Sequence, residues 1–325
     1  MNARARTDLA LTADTATFTA FGARAAILVL DPAALPVVVD HVRAAFARID
    51  LTFSRFRPDS ELARLERLPG LRQPASPLFL ELTELAARAH YSTDGWFDPT
   101  IRDALEAAGY DRSIEQIEAD GPGPARAVAP VAGWSCVAFD RRLGWIIVPR
   151  GVGLDFGGIG KGFAVDYALR GLPAGLGGVL LSAGGDLATC GPAPLGGWLC
   201  DIAATPDAPI ETTVALAAGA LATSGLGRRQ WTRAGRRYHH LIDPHTGQPG
   251  VSPWRTVTVA ARDCVAAEVA AKVAWLRGDA GPAWLASLGL AARFIGVAGR
   301  VVHAGGWPEA QEKNDVAADT ARGAA

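Results

Sequence analysis

The stretch Val152–Asp166 reads VGLDFGGIGKGFAVD and is the most informative part of this chain. Its glycines Gly157, Gly158 and Gly160 let the backbone approach a ligand without a Cβ in the way. A helix that begins near Lys161 would offer free N–H groups and a positive dipole end to a phosphate. The stretch therefore predicts a strand, a glycine turn and a helix that hold the phosphates of a nucleotide-like cofactor. A tight turn that needs glycines only for its own backbone is the alternative.

Three further motifs carry polar groups next to turn residues. Ser182–Asp186 (SAGGD) follows an apolar run, Thr223–Gly225 reads TSG, and His239–Pro249 reads HHLIDPHTGQP. In the last of these, His240 and Asp243 are close in sequence, and a histidine near a carboxylate can serve as a general base at neutral pH. Ordinary turns, with the histidines exposed on the surface, are the alternative for these segments.

Helical and strand-like segments alternate along the chain without a regular βαβ rhythm. Their spacing predicts an α+β fold, a single two-lobed domain with mixed sheets and flanking helices, rather than a doubly wound sheet. Helices are predicted at Pro36–Ile49, from Ser60, at Pro77–Tyr91, from Lys161 and at Cys264–Leu276. Strands or hairpins are predicted at Thr15–Leu30, Trp134–Pro149, Gly178–Leu187, Trp198–Ala203, Thr213–Ala217, Leu221–Ser224, His239–Ile242, Thr256–Ala261, Ala292–Ala298 and Val301–Ala304.

Composition favours an enzyme-sized globular protein over a nucleic-acid or membrane protein. The 325 residues are 49% hydrophobic and 20% charged, which allows a large core. A net charge of −1 gives no bulk attraction to nucleic acid or to an anionic membrane. The four cysteines show no CxxC spacing, and the sequence shows neither a secretory signal nor an apolar run long enough to span a membrane. We therefore expect a cytoplasmic protein with no nucleic-acid or membrane partner.

The predicted domain covers residues 15–307. Residues 1–14 are expected to form a flexible N-terminus, and the Ala-, Glu- and Asp-rich residues 308–325 a disordered tail. Within the domain, Gly121–Pro130 (GPGPARAVAP) is expected to be a linker or a surface loop.

Taken together and in order, the motifs make this chain resemble the ApbE family, the FAD:protein FMN transferases. The resemblance spans roughly residues 15–305. The matching elements are DSELARL at Asp59–Leu65, GWFDPT at Gly95–Thr100, the glycine-rich stretch at Val152–Asp166, SAGGD, TSG and HHLIDPHTGQP, with a weaker match at Thr256–Lys272.

The resemblance implies a reaction and a set of site residues. Such enzymes use FAD and Mg²⁺, transfer the FMN half onto a threonine hydroxyl of a target flavoprotein and release AMP. This is a phosphoryl transfer, which depends on positioning and on charge neutralisation. The resemblance implies that His240 is the base and that the backbone carbonyl of Gly158 reaches the metal. It implies FAD contacts from Phe21, Trp96, Phe97, Asp98, Asp155, Lys161 and Ile242.

The chain departs from the family pattern at the metal motif. The family has an aspartate and, four residues on, a threonine that both hold Mg²⁺; this chain has Glu268, Ala271 and Lys272. Mg²⁺ prefers near-octahedral oxygen ligands, and a protonated lysine cannot supply one. A shifted alignment register is one explanation, and an altered metal site is another. With an altered site, a flavin-binding protein that has lost transfer and an FAD hydrolase that gives FMN and AMP are the alternatives. Phe21 also replaces a methionine, which changes how flavin or adenine would stack.

Overall fold

The structure is a computed structural model, and it describes residues 2–6, 14–117, 120–121, 131–203, 208–227 and 229–308. The predicted linker at Gly121–Pro130 lies outside the described residues except for its first residue, as does the predicted tail except for Pro308. Of the predicted flexible N-terminus, Asn2–Arg6 forms a strand, because its backbone pairs antiparallel with a strand at Trp198–Ala203. Residues 7–13 lie outside the described part.

The described strands are, in chain order, β1 (Asn2–Arg6), β2 (Asp14–Ala20), β3 (Ala23–Val29), β4 (Gln73–Pro74), β5 (Asp120–Gly121), β6 (Ala138–Asp140), β7 (Trp145–Ile147), β8 (Val179–Ala183), β9 (Asp186–Cys190), β10 (Trp198–Ala203), β11 (Ile210–Leu216), β12 (Ala220–Gly225), β13 (Gln230–Arg233), β14 (Arg236–His239), β15 (Ile242–Asp243), β16 (Gln248–Pro249), β17 (Trp254–Ala261), β18 (Ala292–Gly296) and β19 (Val301–Ala304). The described α-helices are α1 (Leu35–Phe53), α2 (Glu61–Glu66), α3 (Pro77–Ser92), α4 (Arg102–Ala107), α5 (Gly160–Arg170), α6 (Cys264–Leu276) and α7 (Gly281–Ser287). None of these helices is both long and apolar enough to cross a membrane.

An antiparallel sheet with the order β19-β18-β17-β12-β9-β8-β3-β2 forms the centre of the fold. Because successive strand residues point to opposite faces, each central strand contributes to two cores. In β8, Val179 and Leu181 join the core that α1, α3 and α5 cover, while Leu180 joins the core shared with β10 and β11. Helices therefore cover one face of the sheet, and the small sheet β1-β10-β11 covers the other.

A smaller lobe lies beside this body. Its core joins α4 to the hairpin β13–β14, through Leu105, Tyr110, Trp231 and Tyr238, and Ile242 of β15 belongs to it. The α+β prediction, with mixed sheets and flanking helices, is confirmed by this arrangement.

Helix starts follow the capping signals of the sequence. The side chains of Ser60, Ser76 and Asp263 each accept a hydrogen bond from a backbone N–H of the helix that follows. These bonds satisfy N–H groups that have no partner within the helix. They fix the starts of α2, α3 and α6, and α6 covers the same residues as predicted.

The strand predicted before the glycine turn is absent from the described residues. Val152–Phe156 forms no ladder; instead Asp155 N donates to Pro99 O at 2.7 Å, and Leu154 N donates to a Glu66 carboxylate oxygen at 3.3 Å. The apolar run indicated a strand, yet its N–H groups bond one at a time to the end of α2 and to the loop that contains Pro99. The helix after the turn is present as α5, beginning at Gly160.

Candidate active site

A cavity of about 790 Å³ lies where α1, the start of α5 and the segment before β15 meet. The sequence-predicted residues come from five separate parts of the chain, and nearly all of them line it. Glu268 does not line the cavity itself, but it contacts Lys161, and Lys161 is a lining residue. The predicted residues in the lining are Phe21, Trp96, Phe97, Asp98, Asp155, Gly158, Lys161, His240, Ile242 and Lys272.

Asp155 is fixed at the start of the glycine-rich segment. Its carboxylate accepts a hydrogen bond from the Gly157 N–H at 2.7 Å and forms an ion pair with Arg55 Nε at 2.7 Å. Both side chains are almost fully buried. The pair orients the turn Gly157–Gly158 toward the cavity, because a buried charge-assisted hydrogen bond of this kind is strong and directional.

Lys161 is neutralised inside the protein. Its Nζ contacts Asp186 Oδ2 and lies 2.5 Å from Glu268 Oε1. Burial alone would lower the pKa of Lys161, but the Asp186 and Glu268 carboxylates raise that pKa above its ordinary value. Lys161 therefore stays charged and serves to tie α5 to β9 and α6.

Glu268 and Asp186 also bond to the backbone. Glu268 Oε2 accepts from the Gly162 N–H at 2.8 Å, and Asp186 Oδ1 accepts from the Thr223 N–H at 3.2 Å. Burial opposes ionisation of Glu268, yet Lys161 and Lys272 lower its pKa below the ordinary value. The motifs SAGGD and TSG, which the sequence left open as ordinary turns, are thus joined at Asp186, which contacts Lys161.

Lys272 reaches the cavity beside Gly158. A Cβ added to Gly158 would lie 2.7 Å from Lys272 Nζ and 3.1 Å from Phe97 Cε2, so only glycine leaves room for this ammonium. Burial and the nearby Lys161 lower the pKa of Lys272 to about 8, against the opposing effect of Glu268. At neutral pH the group is mostly protonated.

The residues do not fit the Mg²⁺ site that the resemblance implies. Both oxygens of Glu268 are engaged by Lys161 and Gly162, Ala271 has no side-chain oxygen, and Lys272 is a cation. Of the described residues, no three or more His, Cys, Asp or Glu side chains are grouped so that they could hold a metal ion. A hard cation that wants six oxygen ligands would find two carboxylates, Asp186 and Glu268, whose oxygens already accept hydrogen bonds from Lys161, Gly162 and Thr223.

Two adjacent histidines take different positions. His239 bonds into the fold, with Nε2 3.0 Å from Gly250 O and Nδ1 accepting from the Leu241 N–H at 3.3 Å. His240 lines the cavity, with Nδ1 3.4 Å from Arg229 O. Burial, Arg229 and Lys272 hold the pKa of His240 well below its ordinary value. His240 is therefore neutral at pH 7, and a proton on Nδ1 leaves Nε2 able to accept another.

Aromatic rings form part of the cavity wall. Phe21 occupies a left-handed conformation (φ 53°) in the tight turn between β2 and β3, and its ring centroid is 5.1 Å from that of Phe46. Trp96 packs against His245 at 4.6 Å, with the guanidinium of Arg277 5.4 Å from its ring centroid. A bulky residue rarely adopts a positive φ, so the turn presents Phe21 at the expense of backbone strain.

Asp98 and Ile242 line the cavity for different reasons. The Asp98 carboxylate accepts from the N–H and hydroxyl of Thr100 at 2.8 and 2.6 Å and from the Trp134 N–H at 3.0 Å, and it lies 3.2 Å from His90 Nδ1. Through these bonds Asp98 holds the adjacent Trp96–Phe97 segment in place. Ile242 is buried in β15 and contributes apolar surface.

Sequence reasoning did not single out the arginines of this cavity, among which Arg55 and Arg229 lie next to predicted site residues. Arg55 lies against the rings of Phe56 and Tyr110, with its Cζ 4.1 and 4.7 Å from their centroids. Arg229 lines the cavity near Lys161 and His240. Arg55 lies in an Arg-rich FSRFR run and Arg229 in a basic hairpin, and neither run shows which arginine faces inward.

Comparisons with known proteins identify a family to which the chain is similar. Residues 19–294 match the sequence model of the ApbE family. The FAD:protein FMN transferase of Chlamydia trachomatis is 29% identical over 250 residues, 74% of this chain and 76% of that protein. The FAD:protein FMN transferase of Salmonella typhimurium is 26% identical over 67% of this chain and 65% of that protein.

Solved structures show the same fold. The ApbE protein of Thermotoga maritima superposes with a TM-score of 0.78 at 26% identity, over 90% of this chain and 97% of that chain. The apo form of the Pseudomonas stutzeri flavinyl transferase ApbE gives a TM-score of 0.76 at 25% identity, over 90% and 95%. Since the family model matches most of the chain, this protein belongs to the ApbE family.

Proposed function

We propose that this protein transfers FMN from FAD onto a threonine hydroxyl of a target flavoprotein and releases AMP. The observation that carries the proposal is the single cavity that brings aromatic rings, cations and a neutral histidine together. The relatives named FAD:protein FMN transferase support it. We assign this activity to the predicted domain, residues 15–307, which contains every residue that lines the cavity.

The cavity supplies the two kinds of contact that FAD needs. The rings of Phe21, Trp96 and Phe97 offer faces on which an isoalloxazine or an adenine can stack. The start of α5, at Gly160 and Lys161, lines the same space with the positive end of the helix dipole, and Lys272 and Arg229 add positive charge there. A pyrophosphate is favoured at such a helix start.

In the proposed reaction, His240 accepts the proton of the threonine hydroxyl while the hydroxyl oxygen attacks the FMN phosphorus. The bond from that phosphorus to the bridging oxygen breaks, and AMP leaves with the bridging oxygen and its electron pair. Burial, together with the positive charges of Arg229 and Lys272, lowers the pKa of free His240. The two negative charges of the pyrophosphate would offset those positive charges. Substrate binding would thereby make His240 a stronger base.

The Mg²⁺ dependence that the family resemblance implies is not part of this proposal. Glu268 has no free oxygen for a metal, and Lys272 places an ammonium beside Gly158. The proposed chemistry therefore relies on the chain's own cations.

The test is flavin transfer to a defined acceptor. The purified protein is incubated with FAD and a flavoprotein domain that carries its flavin through a threonine phosphoester, and with the same domain after Thr→Ala substitution. We expect a mass gain of one FMN on the first domain only, with equimolar AMP. AMP without a mass gain would identify an FAD hydrolase, and bound FAD with neither product a flavin-binding protein; either result contradicts the proposal.

A further inference from the structure

Four charged side chains are grouped at the cavity wall, where Lys161 and Lys272 line the cavity and the two carboxylates lie behind them. They are Asp186, Glu268, Lys161 and Lys272, two carboxylates and two ammonium groups. Lys161 contacts both carboxylates directly. Their formal charges already sum to zero, so the group has no excess negative charge to attract a divalent cation.

Lys272 differs from Lys161 in its surroundings. Among the residues that the structure describes, no carboxylate forms an ion pair with Lys272 Nζ, and Asp155, Asp186 and Glu268 act on it only at longer range. Its ammonium lines the cavity next to Gly158. A buried ammonium without an ion-pair partner is stabilised by an anion that enters the cavity and accepts its hydrogen bonds.

Gly158 determines how far Lys272 can reach. With a Cβ at this position, Lys272 Nζ at 2.7 Å would have to withdraw. The Gly158 backbone and the Lys272 ammonium therefore occupy adjoining space at the end of the turn Gly157–Gly158. The lysine lies beside Gly158, whose backbone carbonyl the family resemblance assigns to the metal.

We propose that the Lys272 ammonium takes the place of the divalent cation in this active site and binds a phosphate oxygen of FAD directly. This inference rests on the proposed function, since FAD is the anion concerned. An ammonium supplies one positive charge and three N–H donors. FAD affinity should then be independent of Mg²⁺ and unaffected by a chelator.

The experiment measures FAD affinity by flavin fluorescence in EDTA and in millimolar Mg²⁺, for the wild type, for Lys272→Met and for Arg262→Met. Methionine keeps most of the lysine's apolar length and removes its charge. Arg262→Met is the control, because it also removes a cation but its side chain is 94% exposed on the surface. Thermal melting of each variant checks that it is folded. Mg²⁺ is also titrated calorimetrically into the ligand-free wild type.

We expect wild-type affinity to be the same in EDTA and in Mg²⁺, with no Mg²⁺ binding heat. Lys272→Met should weaken FAD binding by about tenfold or more, with no rescue by Mg²⁺, because a charge-assisted hydrogen bond is lost. Arg262→Met should bind as the wild type does. Equal affinity of Lys272→Met and wild type would overturn the inference.

The inference would also be overturned if the wild type lost FAD affinity in EDTA and regained it in Mg²⁺. This wild-type comparison remains decisive if Lys272→Met does not fold. Failure of the proposed function gives a different result. In that case the acceptor gains no FMN mass although FAD binds without Mg²⁺ and through Lys272.

Discussion

Glu268 bonds with one carboxylate oxygen to Lys161 Nζ at 2.5 Å and with the other to the Gly162 N–H at 2.8 Å. A side chain of α6 thus fixes the first turn of α5, the turn that faces the cavity. Both oxygens of the carboxylate that the family resemblance assigns to a metal are therefore engaged in hydrogen bonds within the protein. It also links the stability of the helix pair to the shape of the proposed FAD site.

Glu268→Gln should destabilise the protein although it keeps the side-chain shape. The amide loses the negative charge and cannot accept from both Lys161 and Gly162, so a buried donor loses its partner. We expect a loss of about 2–4 kcal/mol in the free energy of unfolding by urea. Glu81→Gln, which removes the ion pair of Glu81 with the exposed Arg170, should change it by less than about 1 kcal/mol. Equal effects of the two substitutions would contradict the role given to Glu268.

Gly162 and Gly160 should respond in opposite ways to alanine. A Cβ at Gly162 would lie 2.7 Å from the backbone oxygen of Cys264, where α5 packs closely on α6, whereas a Cβ at Gly160 meets nothing within 4 Å. We expect Gly162→Ala to lower the free energy of unfolding by about 1–3 kcal/mol. Gly160→Ala should leave it unchanged or raise it by up to about 1 kcal/mol. Chemical denaturation of both variants measures these free energies of unfolding. A Gly162→Ala variant as stable as the wild type would disprove the close packing.

Local signals in the sequence were sufficient for much of the fold. The cap at Asp263 and the alanine-rich run after it predicted α6 with its observed bounds, and alternation predicted the hairpin β2–β3. Val152–Phe156, expected to be a strand, forms no ladder, since its N–H groups bond to Glu66 of α2 and to Pro99, which are distant in sequence. Local patterns carry no information about such partners.

The candidate site was predictable only in part. The motifs and the family resemblance identified the lining residues, yet the contact of Lys161 with Glu268 joins positions 107 residues apart. Arg55 was missed because its role depends on burial beside Asp155, a contact that appears only once the segment after α1 is packed. The departure at Lys272 was visible in the sequence, but its position beside Gly158 required the structure.

Stability in acid should depend on His240. Its pKa in the folded protein is well below the ordinary value, so between that pKa and about 6.5 the unfolded chain binds more protons than the folded one. Stability is therefore fully present above about pH 6.5 and falls as the pH drops below it. His240→Ala should lose part of this decline, measured as the free energy of unfolding across the range. An unchanged decline would show that His240 does not titrate abnormally.

His240 should also be required for transfer but not for binding. His240→Ala removes the proposed proton acceptor while leaving the rings and cations of the cavity in place. We expect the transfer rate to fall by at least about a hundredfold, with FAD affinity within a few-fold of the wild type. Parallel rate and fluorescence titrations separate the two quantities, and normal transfer by the variant would remove His240 from the mechanism.

The most direct test of the whole account is a crystal structure of the protein grown with both FAD and Mg²⁺. We expect FAD in the cavity, with its flavin or adenine against Phe21 or Trp96 and a pyrophosphate oxygen within hydrogen-bond distance of Lys272 Nζ. No ion should lie between Glu268 and the pyrophosphate. FAD bound elsewhere, or an octahedrally coordinated ion at Glu268 with Lys272 displaced, would contradict the account.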